Sequence, residues 1–218
     1  MERAYIAIAK IKDTGVDHTR YLDICRQEEL KGISNPYVCK QKACAGFLLR
    51  YLYEKYKNGE PYDDNEHVSM EAALSYIRAH AAGSFVVEKT AEGMPYIPGE
   101  DKLHISISHT EGYVMAGLAE KRIGVDIQAH RQMRADIAGR FFPEKEAQYL
   151  TGQNDGEHRI REFFRLWCLH EAYVKYTGEG FKQGFKDKIF LDTECFGDMA
   201  VKCFDMGRDL SAAALIEK

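Results

Sequence analysis

Residues 163–181 read F-F-R-L-W-C-L-H-E-A-Y-V-K-Y-T-G-E-G-F. At 100° per residue the apolar side chains of this stretch fall in one arc, which predicts an amphipathic helix over residues 157–177 with the arc buried. Gly178 and Gly180 predict the end of the helix, because glycine tolerates the positive φ of a C-terminal cap. The segment is therefore expected to be a core helix that carries polar groups on its rim.

Two charged residues stand on that rim. Glu171 and Lys175 are four residues apart, so both side chains project from one side of the helix and can act on one bound group. An ordinary solvated ion pair is the competing interpretation. Cys168 lies next to Lys175 on the helical wheel, a position that predicts a lowered thiol pKa, but no base or acyl-enzyme motif beside it supports a nucleophilic role.

The composition describes a globular protein. The chain has 218 residues, 45% hydrophobic and 29% charged, enough for one larger domain or two small ones. A net charge of −4 gives no overall basic field for nucleic acid or an acidic membrane. No apolar run is long enough to span a bilayer and the N-terminus lacks a signal-peptide pattern, so we expect a soluble cytoplasmic protein. The six cysteines show no zinc-type spacing.

Helical and β patterns alternate along the chain. We expect helices at 19–30, capped by Thr19, and at 38–56, 69–80 and 131–142, with a fresh start at Pro143. We expect strands at 3–10, 85–90, 188–193, 200–205 and 210–217. From Leu103 onward, L-H-I-S-I-S-H, G-Y-V-M-A-G-L-A and R-I-G-V-D-I are separated by connections of hairpin length, which predicts a three-stranded antiparallel meander. The order of elements indicates an α+β fold of two similar halves, residues 1–120 and 121–218.

The motif G-V-D-I-Q at residues 124–128 offers oxygen ligands. Strand alternation turns Asp126 and Gln128 to the same side. With Glu171 as a third ligand from elsewhere, they could hold magnesium, which commonly binds through one or two carboxylates plus substrate phosphates and keeps several waters. The alternative for Asp126 is a strand residue that faces solvent or bonds a turn.

The motif I-S-I-S-H-T at residues 105–110 ends a predicted strand. Ser108 and His109 place a hydroxyl and an imidazole where the chain turns, and such donors can hold phosphate oxygens. No acidic residue stands at a spacing that would indicate a Ser-His-Asp triad, so nucleophilic hydrolysis is not favoured. A hydrogen-bonded structural role is the alternative for His109.

Taken in order, S-I-S-H, G-V-D-I and W-C-L-H-E-A-Y-V-K resemble the 4′-phosphopantetheinyl transferases of the larger, Sfp-type class. The family patterns are roughly N-x-S-H, G-[IV]-D-[IVL]-E and W-x-x-K-E-[AS]-x-x-K. G-M-P-Y-I-P at 93–98 and R-F-F-P-E-K-E at 140–146 extend the likeness. It covers about residues 84–192 well and the N-terminal third only loosely.

The resemblance implies two α+β halves related by a pseudo-twofold, with coenzyme A at the seam between them. It implies transfer of 4′-phosphopantetheine to a serine of an apo acyl carrier or peptidyl carrier protein, in the manner of a holo-[acyl-carrier-protein] synthase, with release of adenosine 3′,5′-bisphosphate. The C-terminal half would carry the metal-binding motifs, the protein would act as a monomer, and residues 129–140 would contribute to carrier docking.

The resemblance also assigns roles to residues. Asp126 and Glu171, with Gln128 in the place of a second family glutamate, would hold Mg²⁺ on the pyrophosphate. Ser108 and His109 would hold coenzyme A phosphates. Lys175 would neutralise charge on the phosphate chain. Glu171 is the favoured acceptor for the proton of the attacking serine, with a metal-bound water as the alternative.

Four residues depart from the family pattern: Gln128, His170 in the place of a lysine, Met94 in the place of a lysine, and Ala45 where an arginine often stands. The last three remove positive charge from the expected cofactor pocket, for which Lys40, Lys42 or Lys102 could compensate. His170 falls inside the apolar arc, which predicts a buried, neutral imidazole. The departures leave two alternatives open: a non-catalytic homologue that binds coenzyme A or a carrier protein, and a magnesium-dependent phosphohydrolase.

Overall fold

The structure is a computed structural model that describes residues 4–12, 16–61, 66–132, 137–178, 185–186, 188–191 and 196–218. In chain order the elements are β1 (Ala4–Lys10), a 3₁₀ turn (Val16–Tyr21), α1 (Ile24–Lys31), α2 (Pro36–Lys57), β2 (Glu66–His67), α3 (Met70–His80), β3 (Glu88–Lys89), β4 (Pro95–Tyr96), β5 (His104–Thr110), β6 (Tyr113–Ala119), β7 (Ile123–Ala129), α4 (Ile137–Phe141), α5 (Glu144–Thr151), α6 (Gly156–Thr177), β8 (Met199–Phe204) and β9 (Leu210–Glu217). The expected mixture of helices and sheets is confirmed.

The N-terminal part of the chain builds a four-stranded sheet in the order β2-β1-β6-β5. β6 pairs antiparallel with both β1 and β5, and the short β2 pairs parallel with β1. Helix α2 covers this sheet and begins where the Asn35 side chain accepts hydrogen bonds from the backbone N–H groups of Tyr37 and Val38. Its apolar face, which includes Phe47 and Leu48, forms a core with the strands and α3.

The C-terminal part builds a three-stranded antiparallel sheet in the order β7-β9-β8, covered by α6. Helix α6 begins at the N-cap Asp155 and ends at Gly178, whose φ of 74° confirms the predicted left-handed cap. Gly180 lies outside the described residues. Alternate residues of β1, β6, β7 and β9 meet in a shared apolar cluster that includes Ile6, Met115 and Val125, so the two sheets are packed together.

The predicted meander is wrong in its third strand. β5 and β6 form the expected hairpin, but β7 leaves β6 and pairs along its whole length with β9, from Ile123 opposite Ile216 to Ala129 opposite Leu210. The connection A-E-K-R has hairpin length, yet it carries the chain from one sheet into the other. Connection length does not decide which strand receives the backbone hydrogen bonds.

Other boundaries also differ from the prediction. The helix expected at 19–30 begins at Ile24, because Asp23 rather than Thr19 caps it and accepts a hydrogen bond from the Arg26 N–H. The strand expected at 85–90 is confined to Glu88–Lys89. Of the helix expected at 131–142, only Ile137–Phe141 is helical, and residues 133–136 lie outside the described residues. Residues 188–191 are not a strand, and residues 192–193 are not among those described.

Across the described ranges, no helix has both the length and the apolar character that a bilayer crossing requires.

Candidate active site

The candidate site lies where β5 meets β7, and hydroxyl groups join the two strands. The backbone N–H groups of Val125, Ile127 and Ala129 on β7 donate to Ser106 Oγ (3.0 Å), Ser108 Oγ (3.3 Å) and Thr110 Oγ1 (2.8 Å) on β5. We call Ser106, Ser108 and Thr110 the hydroxyl ladder. It explains the polar alternation of I-S-I-S-H-T, since every second side chain accepts a bond from the neighbouring sheet.

Gly124 brings α6 against β7. A Cβ atom at this position would lie 1.9 Å from the carbonyl oxygen of Ala172 and 2.7 Å from the backbone nitrogen of Tyr176. Only glycine permits so close an approach of helix and strand backbones. The glycine of G-V-D-I therefore sets the distance at which the rim of α6 meets the side chains of β7.

Lys175 spans this contact. Its Nζ donates to the carbonyl oxygen of Val125 (3.0 Å) and to Asp126 Oδ1 (2.8 Å). Asp126 is only 1% exposed, and its Oδ1 also accepts a 2.6 Å hydrogen bond from Ser108 Oγ. Its other oxygen, Oδ2, has a long contact of 3.4 Å from Gln128 Nε2. Strand β7, strand β5 and helix α6 thus converge on one buried carboxylate.

Glu171 is the second carboxylate of the site. Burial and then the negative charge of Asp126 raise its pKa from 4.5 to about 7, although Lys175 opposes the shift. Among the described residues no hydrogen bond holds the Glu171 carboxylate. Burial and a second carboxylate both destabilise the charged form of Glu171, and a bound cation would stabilise that form.

These oxygens suit a hard divalent cation. Within the described ranges, no group of three or more His, Cys, Asp or Glu is gathered as a metal cage. Asp126, Glu171 and the amide of Gln128 could instead supply a partial set of oxygen ligands, the kind that Mg²⁺ uses when waters and substrate phosphates complete its shell. The Gln128 side-chain amide turns its nitrogen towards Asp126. Rotation of the amide by 180° would exchange its nitrogen and oxygen, so that the oxygen would be available to a cation.

A cleft of about 370 Å³ adjoins Lys175. Four cationic side chains line it, Arg26, Lys42, Lys89 and Lys175. Glu29 pairs with both Arg26 (3.3 Å) and Lys42. Phosphate groups are the ligands that such a cluster of guanidinium and ammonium groups favours.

His109 lines this cleft. The side chain is exposed to the cleft, but partial desolvation lowers the pKa of its imidazole. Its own backbone opposes the shift, and the neighbouring Lys175, Lys42 and Arg26 lower the pKa further. The imidazole is therefore neutral at pH 7 and can donate one hydrogen bond without adding charge.

Ser108 is placed differently. It is 6% exposed and does not line the cleft, whereas Ser106 does. Its hydroxyl is occupied by Asp126 and by the N–H of Ile127. The two residues that were expected to act together on phosphates thus lie in different surroundings.

The structure also locates the residues that depart from the family pattern. Met94 and Ala45 line the cleft, and of the three lysines suggested as replacements only Lys42 is among the lining residues. Sequence reasoning missed Arg26 and Lys89. Lys89 could have been found from the turn A-E-G-M-P, because that turn pairs it with Pro95 in a hairpin beside Met94.

His170 is buried, as predicted, but it lies away from the cleft. Its Nε2 is 2.6 Å from Glu146 Oε2 and both side chains are fully buried. Its ring stacks on Phe185, and Glu146 also accepts a hydrogen bond from the backbone N–H of Phe190. The expectation that His170 removes charge from the cofactor pocket is wrong, because the pair joins α5 to α6 inside the core.

The prediction of a lowered pKa for Cys168 is also wrong. The thiol is fully buried and donates to the carbonyl oxygen of Ser211 (3.2 Å). Burial, followed by the charge of Asp126, raises its pKa well above the ordinary value, and the opposing effect of Lys175 is smaller. Cys168 is therefore a packing residue beneath the site.

Comparison with known proteins yields one family. Residues 122–210 match the model of the 4′-phosphopantetheinyl transferase superfamily. A 4′-phosphopantetheinyl transferase of Bacillus subtilis is 33% identical over 109 residues, which are 50% of this chain and 47% of that protein. The psf-1 transferase of Bacillus pumilus is 28% identical over 159 residues, 72% of this chain and 63% of that protein.

The transferase Sfp of Bacillus subtilis strain 168 is 32% identical over 88 residues, 40% of this chain and 39% of that protein. The matched segments thus span between 39% and 63% of the length of these three relatives. The predicted resemblance to the Sfp-type transferases is confirmed.

Proposed function

We propose that this chain, which resembles the 4′-phosphopantetheinyl transferases, transfers 4′-phosphopantetheine from coenzyme A to a serine of an apo acyl carrier or peptidyl carrier protein and releases adenosine 3′,5′-bisphosphate. The observation that carries the proposal is the meeting of Asp126, Glu171 and Lys175 beside a cleft lined by further cations. A diphosphate needs this combination, because phosphoryl transfer depends on positioning and charge neutralisation.

Coenzyme A would occupy the cleft. Arg26, Lys42 and Lys89 would hold its phosphates together with His109, and Lys175 would reach the diphosphate from the floor. The resemblance to the family also implied a phosphate contact for Ser108. The position of its hydroxyl supports a role on Asp126 instead, since a phosphate contact would require Ser108 to give up a 2.6 Å bond.

Magnesium would be held by Asp126 and Glu171, with Gln128 as the weakest ligand. When bound, the ion would neutralise charge on the diphosphate and on the leaving phosphate. Lys175 would then neutralise charge on the same phosphate chain, because its ammonium group already lies at Asp126.

Glu171 would accept the proton of the attacking serine. A general base works best when its pKa is near the operating pH, and the pKa of Glu171 is raised to about 7. Its position on the same rim as Lys175, one turn away, would place the base and the phosphate contact on adjacent turns of α6.

We further propose that residues 1–120 and 121–218 are two similar halves related by a pseudo-twofold. Each half contributes a sheet covered by a long helix, α2 in one and α6 in the other. The protein would act as a monomer in the cytoplasm, with the C-terminal half supplying the metal ligands.

The acceptor protein would dock on the C-terminal half. A cleft of about 420 Å³ lies beyond the end of β7 and is lined by His130, Arg131, Arg161 and Arg208 among others. His130 and Arg131 fall in the stretch 129–140 that the sequence indicated for docking. Three arginines against two acidic lining residues, Glu157 and Asp209, leave the cleft with a net positive charge, which would favour an acidic face on the carrier protein.

The test is to incubate the purified protein with Mg²⁺, coenzyme A and an apo carrier protein, and to determine the mass of the carrier. A gain of one phosphopantetheine supports a holo-[acyl-carrier-protein] synthase activity. Breakdown of coenzyme A without an acceptor would indicate a phosphohydrolase.

A non-catalytic homologue is the second candidate, and Gln128 is the observation that favours it. Its amide carries no charge and donates to Asp126 rather than offering an oxygen. Such a protein would bind coenzyme A without any mass gain on the carrier.

A further inference from the structure

The three rungs of the hydroxyl ladder are not equivalent. Ser106 and Thr110 each accept one backbone hydrogen bond from β7. Ser108 accepts the corresponding bond from Ile127 and also donates its own proton to Asp126 Oδ1 at 2.6 Å. The bond to Ile127 sets the direction of the hydroxyl, so the proton is aimed at the carboxylate.

The hydrogen bond from Ser108 to Asp126 affects which oxygen of the Asp126 carboxylate can bind a cation. Oδ1 accepts the two short bonds, from Ser108 and from Lys175, whereas the bond that Gln128 donates to Oδ2 is long, at 3.4 Å. The buried Cys168 thiol also lies within hydrogen-bonding reach of the Asp126 carboxylate. Rotation of an aspartate carboxylate about its terminal bond is soft, so hydrogen-bond donors decide which oxygen is engaged. Oδ2 is therefore the oxygen that the short hydrogen bonds leave less engaged.

We propose that Ser108 is a positioning residue for the metal ligand Asp126 and not a contact for coenzyme A. The inference rests on the proposed function. It assigns to the serine of S-I-S-H the task of holding Oδ1, so that Oδ2 is left for the divalent ion. Its absence from the lining of the cleft, which it shares with Asp126, agrees with this assignment.

The experiment measures Mn²⁺ binding by electron paramagnetic resonance in protein saturated with coenzyme A, with no carrier protein present. Ser108→Ala is expected to weaken Mn²⁺ binding about 10- to 100-fold, the usual effect of losing a residue that orients a metal ligand. Coenzyme A affinity, measured by calorimetry without divalent ions, is expected to stay at the wild-type value.

Thr110→Val is the matched control, because it removes a ladder hydroxyl that bonds Ala129 but does not touch Asp126. It is expected to keep wild-type Mn²⁺ affinity. Ser108→Thr and Ser108→Val have the same shape and differ in the hydroxyl, so they repeat the comparison if Ser108→Ala does not fold. Ser108→Thr is expected to keep Mn²⁺ binding, whereas Ser108→Val is expected to lose it.

Unchanged Mn²⁺ affinity in Ser108→Ala, equal losses in Ser108→Ala and Thr110→Val, or a loss of coenzyme A affinity in Ser108→Ala would each overturn the proposal. Failure of the wild-type protein to bind Mn²⁺ would do the same. Transfer to an apo carrier is assayed separately on the wild-type protein, so a failure of the proposed function is distinguished from a failure of this assignment.

Discussion

Single residues determine the charge of the site. Of the residues that depart from the family pattern, some line the cationic cleft and one lies in the core. Met94 and Ala45 line the cationic cleft, so each leaves the cleft without a charge that relatives often have. His170 lies in the core on Glu146 and changes nothing in the cleft. Arg26 supplies charge that the sequence pattern did not reveal, because α1 is distant in the chain from the other elements of the cleft. Lys89 supplies charge from the same hairpin as Met94.

Met94→Lys is expected to lower the KM for coenzyme A by up to about fivefold, because a partly exposed ion pair contributes about 0.2–1 kcal/mol. The gain should shrink as salt is added. Steady-state kinetics at low and high ionic strength measure it. Tyr96→Lys, in the same hairpin but outside the cleft lining, adds the same charge and serves as the control. An equal effect in both variants would contradict a local role for position 94.

Glu171→Gln is expected to abolish transfer, since it removes the carboxylate that we propose both as a metal ligand and as the base. It should also stabilise the metal-free protein at pH 8. The folded state raises the pKa of Glu171, so the stability that this group contributes is present below pH 4.5 and is lost as the pH rises to about 7. The rise from 4.5 to about 7 corresponds to roughly 3 kcal/mol at most.

Urea unfolding of the metal-free wild type and Glu171→Gln at pH 4 and pH 8 measures this difference, which should vanish at pH 4. Glu144→Gln, an exposed carboxylate on α5, should show no such dependence. A Glu171→Gln protein with full transfer activity would show that both assignments are wrong.

At the scale of elements, hydrophobic periodicity predicted the helices and strands themselves but not which strands pair with each other. The pattern of residues 157–177 predicted α6 and its Gly178 cap, because amphipathic spacing and cap chemistry are written in neighbouring residues. The partner of β7 could not be found in this way. The N–H groups of Val125, Ile127 and Ala129 bond to side chains of β5, so β7 has no need of β6 and its other edge takes β9.

The contact of α6 with β7 also escaped the sequence patterns, although Gly124 marks it. Gly124→Ala is expected to destabilise the protein by about 3 kcal/mol or more, because the added methyl group meets backbone atoms that cannot move independently. Chemical denaturation measures the change. Gly139→Ala, in α4 with open space around its Cβ position, should be neutral or slightly stabilising. Equal stabilities of the two variants would refute the proposed role of the close approach.

For the whole molecule, the two clefts lie on different sides of the proposed metal ligands on β7 and α6. The cleft that we propose for coenzyme A is formed by α1, α2, the β3–β4 hairpin, β5 and the end of α6, whereas the second cleft lies at the far end of β7 near the start of α6. Arg161 and Glu171 are ten residues apart on α6, or about 15 Å along the helix axis. A carrier protein whose serine reaches the diphosphate would be large enough to cover both positions.

Arg161→Glu is accordingly expected to raise the KM for the apo carrier protein about tenfold with little change in the KM for coenzyme A, because a reversed charge at the edge of an interface mainly slows association. Arg159→Glu makes the same change on an exposed residue of α6 that does not line the second cleft. Equal KM values for the carrier in the two variants would argue against docking at this cleft.

Because the hydroxyl ladder, and not a backbone ladder, closes the gap between β5 and β7, the two sheets can separate slightly while each keeps its own pairing. The exchange rates of the amide protons of Val125, Ile127 and Ala129 then report on that separation. In hydrogen–deuterium exchange they should be released by a smaller opening than the amides in the middle of β6, and a bound nucleotide that bridges the two sheets should slow them selectively.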